Sequence, residues 1–226
     1  MATVERGTTV IAERPIVINN VPWETYLSLL KANGDGPVRL TYDQGMLEIM
    51  APSYFHERLS QFLDRLIGVL TEELGMEMSS AGSTTMRSEP AHRGAEADQS
   101  YHIRNEAAVR GQREFDPATP PDLAVEVDIT SSSSKRLPIY SSLGIPEVWR
   151  YDGERLTFLA LQADGGYHPI AQSLSIPGLS PGDLAGNLAE FDHAGENSLV
   201  AKFRRWVRQT LLMDDGNADR RGALDS

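Results

Sequence analysis

The chain has 226 residues, of which 40% are apolar and 7% aromatic, which is enough to build one ordinary hydrophobic core. It contains no cysteine, and this excludes disulfides, thiolate metal ligands, iron–sulfur clusters and a cysteine nucleophile. The formal net charge of −11 argues against a standing positive field that would draw in nucleic acid from a distance. We expect a single domain over residues 1–213 and a flexible polar tail over residues 214–226.

The cellular location is predicted from what the sequence lacks. No apolar run reaches the roughly 18 to 20 residues of a membrane span. The first residues, MATVERGTTVIAERP, lack the basic segment and apolar stretch of a signal peptide. Together with the absence of cysteine, this predicts a cytoplasmic protein with no membrane partner.

The first third of the chain predicts a helix, a hairpin and a longer helix. Residues 22–34 combine a proline suited to a first helical turn with apolar side chains on one face and a closing glycine. Residues 38–50 alternate apolar and polar side chains around the sequence DQG, which is typical of a β-hairpin. Residues 55–74 carry apolar side chains at helical spacing, with Ser53 as the expected cap.

The middle of the chain predicts short strands over residues 76–78, 94–103 and 121–129. These runs are short and strand-like, and they are separated by serine, glycine, proline and charged residues. The polar stretch over residues 104–120 is expected to be a surface excursion between two of the strands.

The last third predicts a short helix, three strands and a final helix. Pro138 and Gly144 bound the short helix, and the segments PEVWRYD, RLTFLAL and GYHPIAQS predict strands joined by tight turns. Tyr140 and Trp149 are expected in the core. After a connector rich in proline and glycine, residues 198–213 predict an amphipathic helix.

The segment PPDLAVEVDIT is the most informative in the chain. On a strand, Asp122, Glu126 and Asp128 would project from one face while apolar residues project from the other. A solvated acidic face is the plainer explanation, but the hydrophobicity of the strand favours a central position with both faces covered. Carboxylates in such a position repel one another unless a cation compensates them. Oxygen ligands without cysteine point to Mg²⁺ or Mn²⁺.

A second acidic element, GAEADQSYHI, places Glu96 and Asp98 on one side of another short strand. This element is a weak signal by itself. Two strands separated by an excursion can nevertheless become neighbours in one sheet. In that case Asp98 and Glu126 can hold one metal ion between them.

Several segments together resemble one family. They are the hairpin LTYDQGMLEIM, the helix opening PSYFHERLS, the pair GSTT and GAEADQSYHI, and the run PPDLAVEVDITSSSSKRLPIYSSLGIPEVWRYDG. These are similar to the Uma2-type restriction endonucleases of the PD-(D/E)XK nuclease superfamily. The long run is the most specific, because it joins an acidic strand, a serine-rich turn, a tyrosine-containing helix and another strand in that order. The resemblance implies a restriction-endonuclease-like α/β (α+β) fold: a mixed β-sheet flanked by helices, with an N-terminal helix and a β-hairpin extension at one edge.

The resemblance also implies which acids bind the metal. Asp98 becomes the metal-binding aspartate, Glu126 becomes the acid of the (D/E)XK half-motif, and Asp122 shares the metal or its waters. Ala97 stands where the family usually has proline, which affects the backbone more than the chemistry. Glu57, at the start of the long helix, is either an outer ligand of the metal or its water, or a first-turn acid favoured by the helix dipole.

The basic group of the site is left open by the sequence. The superfamily has a lysine two positions after the glutamate, and this chain has Asp128 there, so Lys135 or Arg136 is expected to replace it. In the implied mechanism, this cation stabilises charge that develops as a metal-activated water attacks a phosphodiester bond. His56 is expected at the surface or in a capping position, with a role as a base as the alternative.

Three functions are compatible with these residues. The first is a Mg²⁺-dependent (or Mn²⁺-dependent) endonuclease with DNA as its substrate; by analogy with nucleases that cut both strands, such a protein can act as a homodimer. The second is a catalytically degenerate nuclease fold that binds DNA or another protein. The third is an acidic interaction domain that binds no nucleic acid. Asp128, in the position of the lysine, is the feature that separates the first function from the second.

Overall fold

The computed structural model describes residues 15–34, 36, 38–129 and 133–222, with side chains up to residue 212. The strands in this part of the chain are β1 (Ile16–Ile18), β2 (Arg39–Asp43), β3 (Met46–Met50), β4 (Ser79–Ser80), β5 (Thr85–Ser88), β6 (Arg93–Glu96), β7 (Gln99–His102), β8 (Leu123–Val127), β9 (Glu147–Tyr151), β10 (Leu156–Leu161) and β11 (Tyr167–Ile170). The helices are α1 (Trp23–Asn33), α2 (Tyr54–Glu73), α3 (Glu106–Val109), α4 (Leu137–Leu143), α5 (Pro181–Ala189) and α6 (Glu196–Gly222), and a 3₁₀ turn, Ser133–Lys135, precedes α4.

Two sheets organise the fold. The first is a mixed sheet of six strands in the order β11-β10-β9-β8-β7-β4, in which β8 and β9 are parallel and are connected through α4. The second is an antiparallel sheet of five strands in the order β1-β3-β2-β6-β5. The predicted mixed sheet with flanking helices is therefore confirmed. The hairpin, which the sequence predicts as an extension of one edge, lies instead inside the second sheet.

The β2–β3 hairpin forms where the sequence predicts it. Gln44 and Gly45 both have positive φ angles, 47° and 103°, as a two-residue turn between antiparallel strands requires. The register pairs Asp43 with Met46 directly across this turn. As a result, Arg39 lies at the far end of β2, away from the turn and close to the other sheet.

Helix α2 supplies much of the main core. Ser53 accepts a hydrogen bond from the backbone N–H of His56, as predicted for its cap, and Gly75 with φ of 65° follows the end of the helix. The apolar face of α2 packs with β8, β9 and α6 in one cluster, where Trp149 stacks on Phe158. None of the helices in the described part of the chain has the length and apolar character that crossing a bilayer requires.

Strand β8 is central and covered on both faces. Leu123, Val125 and Val127 belong to the cluster built on α2, whereas Ala124 belongs to a second cluster built on α4. Every residue of β8 is buried. The prediction of a covered strand is confirmed, and a solvated acidic face is wrong for Glu126.

The sequence misplaces several short elements. The run over residues 94–103 is not one strand but two, because the chain leaves the five-stranded sheet after β6 and enters the six-stranded sheet at β7. Strand β4 lies just after residues 76–78 instead of within them. Strand β5 is missing from the prediction because it has only one buried apolar side chain, so it shows no alternation.

The helices also differ from the prediction in part. Helix α3 lies within the predicted excursion, and helix α5 lies within the predicted connector. Pro181 occupies the first turn of α5, and Asp183 accepts a hydrogen bond from the backbone N–H of Ser180 at 2.7 Å. The residues that predict a connector therefore begin a helix in the structure. The backbone of α6 continues past residue 213 to Gly222. The division between a domain and a polar tail at that point stays a prediction.

Candidate active site

Asp98 lies where the chain crosses from one sheet to the other, directly before β7. Its side chain is buried, with 0% exposure. One carboxylate oxygen, Oδ2, accepts the backbone N–H of Val127 at 2.6 Å and lies 3.0 Å from Nε2 of His56. The other oxygen accepts a hydrogen bond from Arg39 on β2. Asp98 therefore connects both sheets and the start of α2.

The bond to Val127 explains why Asp98 meets β8. The N–H of Asp128 points to β9, where it donates to the carbonyl of Tyr151, so the N–H of Val127 points to the opposite side. On that side β7 begins only at Gln99. The Asp98 carboxylate takes the place of a backbone carbonyl and satisfies the donor that the sheet leaves open.

Glu126 lies on β8 beside Asp98 and is also fully buried. Its two carboxylate oxygens accept hydrogen bonds from Arg136 and from the hydroxyl of Tyr140. Both donors come from the turn and helix that follow β8 in the chain. Helix α4 lies over the Ala124 face of the strand, and this places Tyr140 next to Glu126. Tyr140 is buried as predicted, but its hydroxyl makes it part of the site.

The two buried carboxylates influence each other. Burial raises the pKa of Glu126 to about 7; the charge of Arg136 opposes this shift and the charge of Asp98 adds to it. Burial also acts to raise the pKa of Asp98, but the hydrogen bond and charge of His56, with the charges of Arg39 and Arg136, hold that pKa below its ordinary value. The structure thus brings together the two acids on which the metal hypothesis depends.

Asp122 is not part of this group. Four residues along a strand span about 13 Å, so Asp122 and Glu126 lie too far apart to share one ion. The Asp122 carboxylate instead accepts the backbone N–H groups of Ile103 at 2.8 Å and Asn105 at 3.0 Å. These two bonds hold the start of the connection between β7 and β8.

Replacing Asp122 with alanine is expected to lower the free energy of unfolding by about 3 kcal/mol, because two backbone N–H groups lose their acceptor. Mn²⁺ affinity is expected to stay unchanged. Urea denaturation and calorimetric Mn²⁺ titration measure the two quantities. Asp116→Ala is the matched control: Asp116 accepts one N–H, from Ala118, in an exposed loop, and its loss should cost well under 1 kcal/mol. If Asp122→Ala loses Mn²⁺ binding and keeps its stability, Asp122 is a metal ligand and the structural interpretation is wrong.

Of the two candidate cations, Lys135 and Arg136, Arg136 is the one that the structure places beside Glu126. The Lys135 side chain is exposed at the end of the 3₁₀ turn, whereas Arg136 is buried and bonds Glu126. Among the described residues, Nε of Arg136 has no hydrogen-bond partner. A buried N–H donor beside an acid is therefore available to a further acceptor.

Glu57 lies on the open side of the site. Its side chain is 44% exposed, and its Oε1 is 2.7 Å from Nη2 of Arg39, whose Nη1 bonds Asp98. Its position in the first turn of α2 also agrees with the simpler interpretation as an acid favoured by the helix dipole. The geometry is compatible with both interpretations.

Two site residues escape the sequence prediction. His56 is expected at the surface or as a cap, but it is buried and contacts Asp98. Arg39 starts a strand whose next three residues are buried, and an arginine on such a strand is a signal for a buried acidic partner. The serine run lies partly outside the described residues, at residues 131 and 132; Ser133 bonds Asp128 and so has a turn role, as expected.

The donor set fits a hard cation in kind. With the side chains as they stand, no three acidic or histidine side chains within the described ranges converge on one point. However, Arg39 bridges Asp98 and Glu57, and Arg136 bonds Glu126, so guanidinium groups supply the positive charge that these acids require. Carboxylate oxygens are the ligands that Mg²⁺ and Mn²⁺ prefer.

Comparison with known families decides the class of the protein. A family model described as "Uma2: Putative restriction endonuclease" matches residues 23–185, which is most of the chain. The chain belongs to the Uma2 family. None of the curated proteins matches it. The Uma2 match begins before Arg39 and ends after Tyr140, so it covers every residue of the site described above. Membership places the chain among nuclease-type hydrolases.

Proposed function

We propose that this Uma2 protein is a divalent-metal-dependent endonuclease that hydrolyses phosphodiester bonds in DNA. The observation that carries the proposal is the pair of buried carboxylates, Asp98 directly before β7 and Glu126 on β8, with Arg136 bonded to Glu126. Burial and the charge of Asp98 raise the pKa of Glu126, and keeping such a buried acid ionised costs folding free energy unless a cation compensates. These acids already have guanidinium partners, Arg39 and Arg136, so a metal ion would bind in addition to them.

Asp98 and Glu126 are the residues that would hold the cation, and Glu57 would hold its water. When bound, Mg²⁺ or Mn²⁺ supplies the charge that polarises a phosphodiester oxygen and lowers the pKa of an attacking water. His56 keeps the Asp98 carboxylate oriented and ionised through its 3.0 Å contact. The Tyr140 hydroxyl orients one oxygen of Glu126 by donating a hydrogen bond to it.

Arg136 is the cation that stabilises the developing negative charge. It is buried, so its charge acts with little screening, and its Nε can donate to a phosphate oxygen. A planar guanidinium also matches the geometry of a phosphate better than an ammonium group does. Arg136 thus takes the role of the lysine that the chain lacks at position 128.

A DNA substrate is compatible with the net charge of −11 because screening favours local over total charge. Three arginines, Arg39, Arg136 and Arg150, lie around the site. A cavity of about 660 Å³ has Glu96 in its wall, with Arg87 and Phe115 also lining it, and the charges of Arg39 and Arg136 act on Glu96. We propose this cavity as the route by which a strand approaches. A homodimer stays a prediction by analogy.

A catalytically silent nuclease fold is the second candidate. The observation in its favour is that guanidinium groups already pair with both acids, so that the folded chain is charge-compensated without a metal. In that case the site has a structural role and DNA or protein binding occurs elsewhere on the surface.

Metal titration with a cleavage assay separates the two candidates. We expect the protein to nick supercoiled plasmid in Mg²⁺ or Mn²⁺, and we expect EDTA to stop this cleavage. We expect Asp98→Ala to abolish both the cleavage and the Mn²⁺ binding measured by calorimetry. Asp122→Ala, which removes an acid about 13 Å away along β8, should still bind Mn²⁺. Cleavage that survives Asp98→Ala rejects this site. A wild-type protein that neither binds Mn²⁺ nor cleaves supports the silent fold.

A further inference from the structure

A second buried charge cluster lies directly after β8. Asp128 accepts hydrogen bonds from the backbone N–H of Ser133 at 2.8 Å and from its hydroxyl at 3.0 Å. The same carboxylate bonds Nε of Arg150 at 3.0 Å and Nη2 at 2.5 Å. Arg150 also donates to the hydroxyl of Ser133 at 3.0 Å, so the three residues form a closed triangle. None of them contributes a bond to Asp98 or Glu126 among those described.

This triangle fixes the backbone from which Arg136 projects. Ser133 begins the 3₁₀ turn that precedes α4, and its carbonyl accepts the backbone N–H of Arg136 at 2.7 Å. Ser133 is therefore tied to Asp128 through its N–H and hydroxyl and to Arg136 through its carbonyl. The turn has only three residues, so a shift of Ser133 moves Arg136 with it.

The parallel register places the anchor on the correct side. Glu126 on β8 lies opposite Arg150 on β9, and the side chain of Arg150 reaches along the strands to Asp128. Arg136 reaches back from the turn to Glu126 itself. Asp128, the anchor, therefore lies directly after the strand that carries Glu126, two residues further along the chain.

We propose that Asp128 is a positioning residue, which, through Ser133 and with Arg150, holds Arg136 against Glu126. The inference rests on the proposed nuclease function for its catalytic consequence, but the positioning itself is a statement about geometry. Asp128 does not touch the reacting atoms. It acts through the turn.

A double-mutant cycle tests the catalytic consequence. Asp128→Asn is expected to lower kcat about 10- to 100-fold, as the loss of an outer orienting partner does, while KM for an oligonucleotide duplex changes less than about twofold. In an Arg136→Met background the same substitution is expected to have no further effect, because the group that it positions is gone. An equal loss in both backgrounds overturns the proposal, because a general structural defect does not depend on Arg136.

An NMR measurement tests the geometry without any cleavage. The Nη–H signals of Arg136, whose Nη1 bonds Glu126, are expected to exchange slowly with water in the wild type and at least about tenfold faster in Asp128→Asn. Unchanged exchange overturns the positioning, even if cleavage falls. Conversely, a wild type that never cleaves DNA removes the proposed function, while the exchange result still decides the positioning.

Two further variants keep the test sharp. Ser133→Ala removes the hydroxyl contacts and keeps the bond from its backbone N–H, so an intermediate effect on kcat and exchange is expected. Asp43→Asn is the matched control: it breaks a 2.8 Å aspartate–arginine contact, with Arg93, between strands of the other sheet. That control should leave kcat and the Arg136 signal as in the wild type. A kcat loss in Asp43→Asn equal to that in Asp128→Asn overturns the proposal.

Discussion

Glu126→Gln is expected to reduce cleavage by about 10³-fold or more in kcat/KM. Loss of a ligand carboxylate removes several kcal/mol of charge stabilisation, and each 1.36 kcal/mol corresponds to a factor of about ten. Glutamine keeps the size of the side chain and an oxygen that can accept from Tyr140 or Arg136. Single-turnover cleavage of a labelled duplex and calorimetric Mn²⁺ titration measure the two losses together.

The matched control is a second buried glutamate on the neighbouring strand. Glu147 on β9 is fully buried, accepts Nε1 of Trp149 at 2.7 Å and accepts the backbone N–H of Ser175 at 2.8 Å. Glu147→Gln is expected to lower the free energy of unfolding by about 1 to 3 kcal/mol and to keep the activity of the folded fraction. If the two substitutions cause equal losses of activity and of stability, the effect of Glu126 is on folding and the catalytic assignment is wrong.

Arg136→Met is expected to lower kcat about 10²- to 10³-fold, the usual effect of losing one preorganised donor at a developing charge. Arg136→Lys should recover part of this loss, because an ammonium restores the charge without the planar donor geometry. Lys135→Met is the control, since it removes the neighbouring cation, which is exposed. Oligonucleotide cleavage under saturating metal measures all three variants.

The comparison of Arg136 with Lys135 resolves what the sequence leaves open. If Lys135→Met lowers kcat and Arg136→Met changes only stability, the exposed lysine is the catalytic cation and must move inward on DNA binding. Thermal unfolding of each variant is needed for this comparison, because removing Arg136 leaves Glu126 buried without its charged partner.

The elements that the sequence predicts well are those with a strong period. Helix α2 and the β2–β3 hairpin are found within one or two residues of their predicted bounds, because each has a clear apolar pattern and its own end signal. Strand β8 was predictable for the same reason, as was its covered position. Strand β5 and helix α5 were not, because β5 has no alternation and α5 starts with proline and contains two glycines.

The site was predictable only in part, because a linear pattern gives the face of a side chain but not its partner. Asp98 and Glu126 are recognisable in the sequence as acids on two strand-like segments, and the structure brings these two side chains together. The side chains of Asp122 and Glu126 are predicted on the same face of the strand, but the distance along the strand separates Asp122 from the site. Arg39 and His56 come from elements far away in the sequence, so no local motif connects them to Asp98.

The Uma2-type motif and the structure complement each other at position 128. The motif shows that an expected lysine is absent, and it leaves two cations as replacements. The contacts of Asp128 show a carboxylate that is fully used by Ser133 and Arg150. An acid at this position is therefore a structural element of the turn, and its presence does not by itself indicate a lost activity.

The two sheets are joined between β6 and β7 by Ala97 and Asp98 alone. For protein engineering, this makes the link a poor place for changes in length. An inserted or deleted residue there would shift the alternation of the adjoining strand by one, so that the side chain facing Val127 would be a different one. The exposed residues 111–113, between α3 and β8, lie outside both sheets, so an insertion there leaves the alternation of the strands unchanged.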